Sequence, residues 1–74
     1  MMQKIVFYFD TYKDLQNYCA ELDSQGIRHD NLEHYYAILT DRACIDQEGL
    51  IMDILLAKTM GYKIIKRRSL YGKN

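Results

Sequence analysis

Seventy-four residues, 49% apolar and 27% charged, make one small globular domain and exclude a disordered chain, which needs low hydrophobicity and high net charge. Two cysteines are too few for a disulfide framework, no apolar run approaches the roughly 20 residues of a membrane span, and no signal peptide opens the chain, so a cytoplasmic setting is expected. Formal net charge is zero but unevenly placed: residues 1–53 hold four Lys/Arg against ten acids, a net −6, and residues 54–74 hold six Lys/Arg and no acid, a net +6.

A chain this short buries only about 60% of its unfolded surface. Its core supplies roughly 3–5 kcal/mol of net stability, so a partner chain is a natural source of more. The expected organisation is one compact α/β domain over residues 1–68 and a flexible basic tail over residues 69–74.

Gln3 to Phe9 is β-branched and aromatic with no turn residue, which predicts a mostly buried strand. Asp10-Thr11 then offers caps for a helix, with Asp14 three residues after Thr11. Tyr12, Leu15, Tyr18, Cys19 and Leu22 recur at helical spacing, and Gly26 is suited to end the helix, with Ile27 supplying the accompanying apolar contact. Arg28 to Glu33 is polar and reads as a loop or short edge strand.

His34 to Thr40 (HYYAILT) reads as the second strand, with Tyr35, Ala37 and Leu39 on one face and Tyr36 and Ile38 on the other. Asp41 to Ile45 is expected to connect to a second helix. Asp46 would be its N-cap, Gly49 a weak point in its first turn, and Leu50, Ile51, Ile54, Leu55 and Ala57 its main face, widened by Met52 and Leu56. Gly61 would end that helix, and Tyr62 to Arg67 would form a third strand whose Lys/Arg content suits a sheet edge. The pattern is a small three-stranded sheet with two helices, β-α-β-α-β, with parallel pairing through crossovers. If Arg28 to Asn31 pairs as a strand, the order becomes the ferredoxin-like β-α-β-β-α-β.

Several constellations could carry chemistry. Cys19, His29, His34 and Cys44 are the right types for zinc but lack paired short spacings, so structural cysteines and loop histidines are preferred and no metal is assigned. Cys44, placed just before a helix N-terminus, could act as a nucleophile with His29 or His34 as base, but nothing in the local sequence matches such a site. Asp10, Asp14 and Asp41 could gather round Mg²⁺ at strand ends, yet capping already explains two of them. No catalytic motif is present, so an enzyme is not expected and no cofactor is implied.

Lys58, Lys63, Lys66, Arg67, Arg68 and Lys73 are interleaved with Tyr62 and Tyr71. Lys63, Lys66, Arg67 and Arg68 form the candidate nucleic-acid set of an alternative reading. Seven tyrosines favour an interface, since tyrosine buries much area and keeps a polar tip. The leading expectation is a non-enzymatic interaction module. It would dock a protein partner through an acidic, tyrosine-bearing surface of Asp14, Glu21, Asp23, Asp30, Glu33, Tyr35 and Tyr36. A homodimer through a sheet edge, or through Tyr35, Tyr36 and the second-helix face, fits the small core. A sharper form is an inhibitor that occupies the basic surface of a nucleic-acid-handling enzyme. Very short, proline-free, Tyr/Ile/Lys/Asp-rich domains of this kind look like accessory proteins of bacteria or their phages, a likeness of composition that no residue motif carries.

Overall fold

The computed structural model describes residues 3–67. The expected basic tail, residues 69–74, lies outside the described residues, as does Arg68.

β-Branched and aromatic residues extend Ile5–Phe9 into strand β1, with Val6 and Phe9 buried on opposite faces. The chain leaves β1 through Asp10 and enters helix α1, Tyr12–Ser24, whose first turn is closed by Thr11 Oγ1 accepting from the Asp14 amide at 3.1 Å. Leu15, Tyr18, Cys19 and Leu22 form the buried stripe. At its end the Gly26 amide donates to Asp23 O and the Ile27 amide to Leu22 O, the paired bonds of a Schellman turn. Gly26 takes φ +74 there, as its position in the sequence leads one to expect.

The segment expected as the second strand is instead helix α2, Leu32–Leu39. Asn31 is its N-cap, with Oδ1 accepting from the His34 amide at 3.0 Å. Leu32, Tyr35, Tyr36 and Leu39, spaced three and four apart, turn together toward the core, while Glu33, His34, Ala37 and Ile38 face outward. A short 3₁₀ turn, Thr40–Arg42, leads into β2, Ala43–Asp46, all four of whose residues are buried.

The expected second helix over 46–61 is divided by the fold. Its first part is a hairpin: β2 turns through Gln47–Leu50 into β3, Ile51–Asp53, and only then does helix α3, Ile54–Thr59, begin. Asp46 is therefore a turn residue rather than a helix cap. Its Oδ1 accepts from the amides of Glu48 and Leu50, both at 2.9 Å. The role of cap falls to Asp53, whose Oδ1 accepts from the Leu55 amide at 2.8 Å. Gly61 ends α3 at φ +81 and strand β4, Lys63–Arg67, follows.

Four strands and three helices thus replace the expected three and two. The sheet order is β3-β2-β1-β4, with β2 antiparallel to both its neighbours and β4 parallel to β1. The order of elements is β-α-α-β-β-α-β, neither β-α-β-α-β nor the ferredoxin-like β-α-β-β-α-β, because the strand after α1 begins at Ala43 rather than at His34 or Arg28. Arg28–Asn31 does lie along the β3 edge, but through one backbone bond, Asp30 N–H to Gly49 O at 2.8 Å, and one side-chain bond, Ile51 N–H to Asp30 Oδ2 at 2.9 Å. β4 sits at the edge its charges suggest.

The core has two parts, one on each sheet face. Helices α1 and α2 cover the face bearing Phe7, Phe9, Ala43, Ile45 and Ile51. The short α3 covers the other, where Val6, Cys44, Met52 and Ala57 meet. The six residues of α3 span only about 9 Å at 1.5 Å per residue, so its outer side keeps Leu55, Leu56 and Met60 about half exposed. Of the apolar face expected on the second helix, Ile51, Met52 and Ala57 point inward and Leu50, Leu55 and Leu56 outward.

Candidate functional site

The residues expected to act together are brought together only in part. Asp23, in the last turn of α1, Asp30, in the α1–α2 connection, and Glu33, in the first turn of α2, line one open hollow of about 540 Å³. The Tyr12–Gln16–Ala20 side of α1 forms one wall, and His29, Asp30 and Asn31 form another. Because α2 is a helix, its acidic N-terminal turn is carried to the end of α1.

The other two acids lie elsewhere. Asp14 sits in the first turn of α1, and Glu21 faces β4, where its Oε1 is 3.7 Å from Arg67 Nη2. Tyr35 and Tyr36 are half-buried against the core formed with α1. Tyr36 packs on Tyr12 with ring centroids 4.4 Å apart and the rings tilted by 47°, and Tyr35 meets the His34 ring edge-on at 5.1 Å. They tie α2 to its surroundings, and Tyr12 links that contact to the hollow.

The basic set is dispersed as well. Arg67 lies over the rings of Phe7 and Tyr18, at 5.1 and 4.8 Å from their centroids, and pairs with Glu21. Lys66 Nζ is 2.7 Å from Asp10 Oδ1. Lys63 is exposed and forms no ion pair with another described residue. Two of the three described cations thus have protein carboxylates beside them.

The candidate zinc ligands are not a cluster. Cys19 belongs to the core under α1 and Cys44 to the core on the opposite sheet face. Among the described residues no group of three or more metal-ligating side chains could hold an ion, which also sets Asp10, Asp14 and Asp41 apart. Cys44 lies inside β2 rather than before a helix, fully buried, with Sγ 3.4 Å from Met52 O. Burial, with Asp53 and Asp46 adding to it, pushes its thiol up to about 12, the reverse of what a nucleophile needs. Burial, aided by Asp23, raises Cys19 to about 11.

His29 has a role the ligand reading missed. Its Nδ1 is 2.8 Å from Asp30 O and its Nε2 is 3.0 Å from Asp23 Oδ1, so the ring spans from the connection to the end of α1. The Asp30 carbonyl and, after it, the Asp23 carboxylate hold its pKa above the ordinary 6.5 against the opposing effect of burial. The residue beneath it is Gly49, at φ +92, where a Cβ would collide with the Arg28 carbonyl oxygen and the His29 backbone. A lone glycine between the polar Asp46-Gln47-Glu48 and the apolar Leu50-Ile51-Met52 was the one available signal of so close a backbone approach.

Comparison of the chain with protein-family models, with curated proteins and with solved structures gives no match. No helix among the described residues is long and apolar enough to cross a membrane.

Proposed function

We propose that this protein is a non-enzymatic interaction module that receives a basic segment of a protein partner in the hollow between α1 and the start of α2. What supports the reading is one observation: Asp23, Asp30 and Glu33, separate in sequence, line the same concave surface beside Tyr12. Carboxylates around an open hollow favour Lys or Arg of a partner, and an aromatic wall supplies contact area for their stems. An inhibitor that covers the basic surface of a nucleic-acid-handling protein is one form of such a module.

The probe is a fluorescent oligolysine peptide, titrated at low and moderate salt while amide chemical shifts are followed. The expected shifts cluster at Asp23, Asn31 and Glu33. The double variant Asp23→Lys, Glu33→Lys is expected to weaken binding roughly tenfold, equivalent to about 1.4 kcal/mol. Shifts scattered over all acidic residues, or binding unchanged by the double variant, would sink the reading. A parallel titration with a mixed DNA and RNA pool tests the nucleic-acid alternative. Binding there that weakens steeply with salt and depends on Lys63 and Lys66 would put that alternative in its place.

A further inference from the structure

The connection between α1 and α2 seals the β3 edge. Asp30 stands where a neighbouring strand would stand, donating its amide to Gly49 O and accepting the Ile51 amide through its carboxylate. An edge strand left open is a template for unwanted pairing, and here a loop takes the place of the partner strand. The seal is held at its other end by His29.

The His29 ring faces two acceptors, the Asp30 carbonyl on Nδ1 and the Asp23 carboxylate on Nε2. An imidazolium has an N–H for each. A neutral imidazole has only one, so either contact must then bring two lone pairs together. Among the described residues, the other charged or titratable groups around His29 are few. Tyr12, Cys19 and Asp23 come from α1, Arg28 and Asp30 from its own segment, Glu33 from α2 and Glu48 from the hairpin turn. Arg28 is the one cation among them, and the carboxylates outnumber it, so the surroundings favour the charged ring.

We infer that Arg28–Asn31 is a proton-latched strap: protonated His29 pins it across the β3 edge, and loss of that proton loosens it, freeing the Ile51 amide and one wall of the acidic hollow. The latch depends on the fold alone and holds whether or not the hollow takes a partner.

Amide hydrogen exchange on the whole protein tests this from about pH 5 to about pH 9, the range across which histidine titrates. Protection factors are corrected for the intrinsic pH dependence of exchange. The Ile51 and Asp30 amides are expected to lose protection severalfold as pH rises. The Lys63 amide, bonded to Lys4 O between β4 and β1, serves as the reference and is expected to keep its protection. Asp23→Asn should move the transition to lower pH, and His29→Gln should abolish it. Ile51 protection that is flat with pH, that falls in step with Lys63, or that keeps its transition in His29→Gln would each overturn the strap.

Discussion

At Asp46 a single carboxylate closes the β2–β3 hairpin, accepting two backbone amides at 2.9 Å from a buried position. Hydrogen bonds to a charged acceptor contribute more than neutral ones, and Asp46→Ala removes two of them at once. Asp46→Ala is expected to lower unfolding free energy by about 2–3 kcal/mol, read from urea denaturation. Thr40 presents the opposite case. It is a β-branched residue at φ 54, ψ −127, and the described residues include no other non-glycine with positive φ. Its hydroxyl bonds to Leu39 O at 2.6 Å and to Asp41 Oδ1 at 3.2 Å. Those bonds offset only part of a conformational cost of order 1–3 kcal/mol. Thr40→Gly is therefore expected to raise stability by about 1 kcal/mol, and a midpoint shifted to lower urea would contradict the strain.

Helix α2 shows how much a segment's own residues disclose. Its aromatic and β-branched content predicts a strand, yet Leu32, Tyr35, Tyr36 and Leu39 keep a helical period and Asn31 stands at the cap. Propensity and period disagree there, and period prevails because it buries one stripe against α1 and the sheet. Removing the cap should therefore be felt: Asn31→Ala is expected to cost about 1 kcal/mol and to loosen the Glu33 side of the hollow, seen as faster exchange at the His34 amide. The run from Asp46 to Gly61 misleads for a different reason. Its Leu, Ile and Met content suits a helix, and only pairing with β2, itself held by β1, draws Ile51–Asp53 into a strand. Where the cause is local, structure follows sequence: Thr11, the α1 stripe, Gly26, Gly61 and the basic edge strand all stand as the sequence predicts. The hollow depends on α2 being a helix, so Asp23, Asp30 and Glu33 were legible as candidates but not as neighbours.

Across the whole molecule, several buried or latched groups, His29, Cys19 and Cys44 among them, tie stability to pH in one direction. His29 has a folded pKa above 6.5, so its contribution is complete below that value and is lost as pH rises through the folded value. Asp23 is 68% exposed at its side chain, so this part is modest and weakened by salt. The thiols of Cys19 and Cys44, raised from 9.0 to about 11 and about 12, oppose unfolding least above pH 9, where the unfolded chain releases their protons first. Thermal midpoints are expected to decline in two steps on the alkaline side, the first missing in His29→Gln. A midpoint that climbs between neutral and alkaline pH would contradict both assignments.

The central position of β1 carries a consequence for how the chain comes into being. Ile5 pairs with Lys63 and Phe7 with Ile45, so both neighbours of the strand are made only after it, β4 more than fifty residues later. IVFYF is uncharged, aromatic and β-prone, the kind of segment that self-associates when left bare. A nascent chain must carry it unpaired past α1 and α2, and with its β4 side still bare past the hairpin and α3, so translation that stalls before β4 emerges would release a species able to aggregate though none of its residues is altered.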